Sequence, residues 1–94
     1  MNLEFNNSKF YSELENYEII NINNGERYNY LSNNDIIIDE NGEMKFLIIN
    51  NGKSHFNFFS NSEILEIPWE YVNKIGARTI IVDVEESELK RINK

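Results

Sequence analysis

Ninety-four residues make one domain, with material for a single core and not for two. A hydrophobic fraction of 40%, with six Phe, five Tyr and one Trp, excludes a disordered chain, and the lack of Cys excludes disulfides, thiolate metal sites and thiol nucleophiles. A formal net charge of -7, against only nine Lys and Arg, opposes direct binding to nucleic acid, which draws its affinity from cations on phosphates.

The first residues, MNLEFNNSKF, lack the basic region and apolar run of a signal peptide. No segment approaches the roughly 18 apolar residues that a membrane span requires. A soluble, cytoplasmic protein held together by packing alone is therefore expected, as one domain over residues 1–94.

Residues 1–7 read as a loosely fixed lead-in, in which Leu3 and Phe5 alternate and could extend a sheet edge. Residues 8–14, SKFYSEL, form a candidate helical turn, with Phe10, Tyr11 and Leu14 sharing one face. Over residues 17–23, YEIININ, apolar and polar positions nearly alternate through Ile20 and Ile22, the period of a half-buried strand. Asn23-Asn24-Gly25 supplies a turn, and residues 26–31 a second strand with Tyr28 and Tyr30 on one face.

Residues 35–49 organise the chain as two strands folded back across Glu40-Asn41-Gly42. Asn-Gly between apolar runs is a strong hairpin signal, because both residues tolerate positive φ. The unbroken Ile36, Ile37, Ile38 run suggests contact on both faces of the sheet. Residues 50–62, NNGKSHFNFFSNS, look least structured, a loop or a ragged hairpin. Ile64 to Ile67 reads as a strand that stops at Pro68, which cannot donate to a ladder.

Proline also suits the first turn of a helix, so residues 68–75 read as one or two helical turns, with Trp69, Val72 and Ile75 facing the core and Gly76 as the stop. Residues 79–84, TIIVDV, make the last strand. Residues 85–94 place acids first and bases last, as a short terminal helix would. The expected fold is mainly all-β: a small barrel or roll of about six strands, with a one-to-two-turn helix before the last strand and a short C-terminal helix.

The order Asn24-Gly25-Glu26-Arg27, Leu31-Ser32, Asp35-Ile36-Ile37-Ile38-Asp39 and Asn41-Gly42 resembles the PRC-barrel pattern. With Ile64-Leu65-Glu66-Ile67-Pro68-Trp69, Lys74-Ile75-Gly76 and Ile80-Ile81-Val82, the chain is similar to the YlmC/YmxH family, small PRC-barrel proteins of spore-forming bacteria grouped as sporulation proteins. The resemblance covers roughly residues 10–84, leaving 85–94 as a helix or tail. It implies a barrel without a catalytic centre or cofactor, acting as a protein–protein interaction module, and a homodimer. No functional residue carries over, because none is established for that group. The chain departs from the pattern at Asn29, where relatives often carry glycine, and in residues 50–62, which hold Phe56, Phe58 and Phe59 in place of several glycines.

The residues themselves do not disclose an activity. His55, the one histidine, has no assembled partner and reads as an exposed loop residue. Asp35, Asp39, Glu40 and Glu43 cluster at the hairpin but fail the EF-hand spacing, because Ile37 and Ile48 stand where ligands belong. Trp69 reads as a core plug in preference to a ligand contact. Lys90, Arg91 and Lys94 read as helix-end charges opposite Glu85, Glu86 and Glu88. Phe56, Phe58 and Phe59 with His55 form the candidate interaction surface, either a lid on the core or an exposed partner patch.

Three functions compete. The first is a non-enzymatic interaction module of the sporulation type, with an unidentified protein partner. The second is a ribosome- or RNA-associated accessory factor, by analogy with the PRC-barrel domain of RimM. The third is a small-molecule barrel or hydrolase, which would need a deep polar pocket that a barrel this small normally fills with side chains.

Overall fold

The computed structural model describes residues 8–50 and 63–93. A short helix α1 (Tyr11–Leu14) leads into β1 (Glu18–Asn21), β2 (Arg27–Tyr30), β3 (Asp35–Ile38), β4 (Met44–Asn50), β5 (Glu63–Pro68), β6 (Val72–Ile75), β7 (Thr79–Val82) and β8 (Lys90–Asn93). These strands form two four-stranded sheets, in the orders β2-β1-β7-β6 and β3-β4-β5-β8. The chain enters the first sheet, builds the second, returns to the first and ends on the second. Among the described residues neither sheet closes on itself or on the other, so the closed barrel of about six strands is corrected to eight short strands in two open sheets.

One pairing was not legible in the local pattern. β1 and β7 run parallel, with Ile19 opposite Ile80 and Asn21 opposite Val82. Parallel neighbours need a long crossover, and here the chain from β2 to β6, with three strands of the second sheet in it, supplies it. The inner faces meet in one core: Ile19, Ile80 and Val82 from the first sheet, and Leu47, Ile49, Leu65 and Ile67 from the second, are all buried. Each such side chain contributes about 1.5–3 kcal/mol by leaving water.

The hairpin over residues 35–49 forms across Glu40-Asn41-Gly42, with Gly42 and not Asn41 taking the positive φ. The Asp39 N–H donates to the Glu43 carbonyl at 2.9 Å, and Gly42 takes φ 84. The turn at Gly25 has φ 79, and Asn29 adopts φ 74, a left-handed conformation that asparagine tolerates better than other side chains.

Several local readings are corrected. Over residues 17–22 the buried side chains are Tyr17, Ile19 and Asn21, while Ile20 is half-buried and Ile22 exposed, so the alternation holds with its phase reversed. Positive φ at Asn29 turns Tyr30 to solvent while Tyr28 stays buried. Phe10 and Tyr11 are exposed, and only Leu14 of that helical face reaches the core. Ile37 and Ile38 are exposed because β3 is an edge strand, contrary to contact on both faces.

The helix expected at residues 68–75 is a single 3-10 turn, Trp69–Tyr71, followed by strand β6. Val72 pairs with Val82, and the Gly76 N–H closes the β6–β7 turn on the Thr79 carbonyl. Ladder bonds to β7 win there over the weak helical preference of VNKI. Trp69 is half-buried against the core, less covered than a plug. The terminal helix is likewise a 3-10 turn, Glu86–Glu88, and then β8, which pairs antiparallel with β5.

Candidate functional site

Two places gather chemistry. The first is a polar knot where the first sheet meets the C-terminal turn. Period two sends Asn21 inward beside Ile19, and it ends with no exposed surface. Its Nδ2 donates to the Val84 carbonyl at 2.9 Å and to the Tyr28 hydroxyl at 3.1 Å. Its Oδ1 accepts the N–H of Asn23 at 3.0 Å and of Val84 at 3.2 Å. All four hydrogen-bonding capacities of the amide are used, as burial demands.

The Tyr28 hydroxyl donates in turn to Glu86 Oε2, which also accepts from Asn24 Nδ2 at 3.2 Å, while Oε1 pairs with the Arg91 guanidinium at 3.1 Å. Burial first, and then the Glu86 carboxylate, push the Tyr28 hydroxyl well above the usual tyrosine range. The same hydrogen bond from Tyr28, with those from Asn24 and Arg91, holds the Glu86 carboxyl below its ordinary value, against the opposing effect of burial. Both oxygens of Glu86 are engaged within the protein. The knot ties the β1–β2 turn to the C-terminal turn; it is a clamp in which every named group already has a partner.

Asn34 makes a second tie. Its Nδ2 donates to the Tyr28 and Tyr30 carbonyls at 2.9 and 2.8 Å, and its Oδ1 accepts the Asn50 N–H at 2.8 Å. It thereby joins the end of β2 to the end of β4, one sheet to the other.

The second place is the outer surface of the β3–β4 hairpin. Ile37 lies opposite Phe46, and Phe46 opposite Pro68, so a row of apolar side chains runs across the sheet on the side away from the core. Ile37 on this face is 44% exposed, while Ile38, next along the strand and so turned the other way, is 53% exposed with the exposed Met44 opposite it in register. A register shift between Ile37 and Ile38, with Met44 opposite Ile38, marks a bulge on the β4 side.

The acids of the hairpin have a structural task. Asp39 Oδ1 accepts the N–H of Asn41 and of Glu43, both at 2.9 Å, and these amides hold its carboxyl below the ordinary value. Among the described residues no group of three or more acids or histidines could hold a metal ion, and no helix is long and apolar enough to cross a membrane.

His55, Phe56, Phe58 and Phe59, the surface expected from the sequence, lie outside the described residues, as do residues 1–7 with Leu3 and Phe5. The knot was not anticipated. Asn21 looked like the wet side of its strand, and Glu86 like a helix-end charge. The signal that could have found it is an asparagine in phase with Tyr17 and Ile19, followed seven residues on by a tyrosine in the pairing strand. The hydrophobicity of Asp-Ile-Ile-Ile-Asp suggests contact on both faces, whereas the acids flanking it suit the sheet end where β3 lies.

Among known proteins, a family model for the PRC-barrel domain matches residues 6–89. No curated protein and no solved structure matches the chain. The match spans both sheets from α1 through the Glu86–Glu88 turn, and on that extent the chain belongs to the PRC-barrel domain family.

Proposed function

We propose that this chain is a non-enzymatic protein–protein interaction module of the YlmC/YmxH sporulation type, working in the cytoplasm. The observation that carries the reading is the set of exposed apolar side chains on the β3–β4 hairpin, Ile37 on the outer face and Ile38 with Met44 nearer its turn, on a domain whose polar cluster is tied up internally. A cleft enzyme keeps a titrating group free to move a proton. Here the perturbed pair, Tyr28 and Glu86, spend their hydrogen bonds on each other and on Asn21, Asn24 and Arg91.

A homodimer is part of the proposal. Each sheet ends in edge strands, β2 and β6 in the first and β3 and β8 in the second, and pairing across a two-fold axis is a common way to satisfy unpaired donors. Sedimentation of the purified chain checks this, with a dimer expected and a monomer at high concentration contradicting it.

The cellular role is tested by replacing the gene, in a spore-forming host that carries it, with an Ile37→Asp variant. The fold should survive, since Ile37 is half-exposed, and spore yield should fall as it does on deletion. A deletion strain that sporulates normally would contradict the sporulation role, and a folded Ile37→Asp variant that sporulates normally would contradict the use of this surface.

A further inference from the structure

A backbone hydrogen bond at its end fixes the direction of the amides along β3. The Asp39 N–H donates to Glu43 on the β4 side. The Ile36 N–H donates at 2.8 Å to Oδ1 of its own neighbour Asp35. Successive amides of an extended strand alternate between its two sides. Odd-numbered residues therefore face β4, and Ile36 and Ile38 face the edge. Among the described residues β4 is the only strand bonded to β3.

The side chains add selectivity. Residues 35–39 read Asp-Ile-Ile-Ile-Asp, the same in both directions. Two copies pairing antiparallel about Ile37 would use both edge-facing amides, since Ile36 of each would meet Ile38 of the other, once Asp35 releases the Ile36 N–H. The same register would set Asp35 opposite Asp39 at both ends. Like charges directly opposite across a strand pair are destabilising. The edge thus rejects a second copy of itself and favours a strand with cations at those two positions.

We propose that the free edge of β3 is a strand-addition site for an extended segment of another protein, with an apolar residue against Ile37 and Lys or Arg two positions to either side, against Asp35 and Asp39. The incoming strand exchanges backbone hydrogen bonds with Ile36 and Ile38, the usual source of affinity in strand addition. The Asp35 carboxylate gives up the Ile36 N–H and turns to the first cation. The second cation meets the Asp39 carboxylate, which two backbone amides already orient. The central side chain lies beside Ile37 and lengthens the row that Phe46 and Pro68 continue. The homodimer proposed above accordingly uses a different edge.

The test titrates two capped synthetic peptides into the isotope-labelled full chain, one centred on Lys-Val-Ile-Val-Lys and the other on Glu-Val-Ile-Val-Glu. The lysine peptide should bind, with the largest amide shifts at Ile36 and Ile38, and weaken as salt is added. The glutamate peptide should bind at least about fivefold more weakly, because two attractive cross-strand pairs become repulsive. An Asp35→Lys, Asp39→Lys double variant should reverse the preference. Because Asp39 also holds the turn, Asp35→Lys alone serves as a second variant and should at least halve the ratio.

Equal affinity for the two peptides, or no binding of either at millimolar concentration, would overturn the site. The site rests on the interaction-module reading but fails separately from it. Binding that leaves Ile36 and Ile38 unmoved and shifts β2, β6 or β8 overturns the β3 edge and leaves the module standing.

Discussion

Around Asn21 the chain has closed every polar contact inside the protein; along β3, less than twenty residues on, two isoleucines stand in solvent and the Ile36 amide at the edge is held only by the side chain of Asp35. Both regions are β-structure built from Ile and Asn or Asp. The difference lies in position. β1 is a central strand with neighbours on both sides, so any polar group it carries inward must be paired or the fold pays a desolvation penalty. β3 is an edge, and an edge is a liability unless something blunts it. Asp35 on its own following amide, and acids at both ends of the isoleucine run, are that blunting. What protects the edge from its own copy also specifies what it accepts.

The comparison breaks most severely at Asn21. Asn21→Ala strands the Val84 amide and carbonyl and the Asn23 amide, and should cost about 3 kcal/mol in urea unfolding. A loss under about 1 kcal/mol would mean the knot is not closed as described. Ile38→Thr on the open edge should change stability by less than about 0.5 kcal/mol, because that side chain is already half in water.

Trp69→Ala should fall between, at about 2 kcal/mol. A fully buried Trp would cost more, and this one is half-covered against the core. A loss above about 4 kcal/mol would place Trp69 as the central plug that the sequence suggested.

The knot also predicts a pH signature. Glu86 titrates lower in the folded chain than its ordinary 4.5, so its contribution is present above that value and is lost as pH falls through the folded value. Tyr28 titrates higher than its ordinary 10.0, and the folded state therefore holds a proton that the unfolded state releases, so stability falls again as pH rises above that value. Tyr28→Phe should flatten the alkaline limb and weaken the acid one. Denaturation midpoints at acid, neutral and alkaline pH decide this, and unchanged limbs in the variant would contradict it.

The smallest effect belongs to the surface pair Arg27 and Glu18, a two-bond contact at 2.8 and 2.7 Å. Its Arg side chain is largely exposed, so Arg27→Ala should barely move the urea midpoint, and the small difference should shrink in high salt.

Much of this was legible beforehand where a residue type has one local use. Gly42 and Gly25 announced their turns, Pro68 ended its strand, and the apolar run at residues 80–82 marked a strand, though not the last one. Period two was visible over Tyr17 to Ile22, but its phase was not: isoleucine is the safer guess for the inside, and tertiary pairing put Asn21 there instead. The helices expected after Pro68 and at the C-terminus failed for the same reason. VNKI and KRIN have weak preferences of their own, and the neighbouring strands β7 and β5 decided them. The clamp joins residues sixty or so apart in sequence, so no local spacing could announce it.

Amide hydrogen exchange on the native chain tests the contrast most directly. If β3 is an open edge, the Ile38 amide exchanges within about tenfold of an unstructured chain, while the Ile37 and Asp39 amides, bonded toward β4, exchange at least about a hundredfold more slowly. Equal protection of Ile37 and Ile38 would mean that the edge is covered, and would contradict the account.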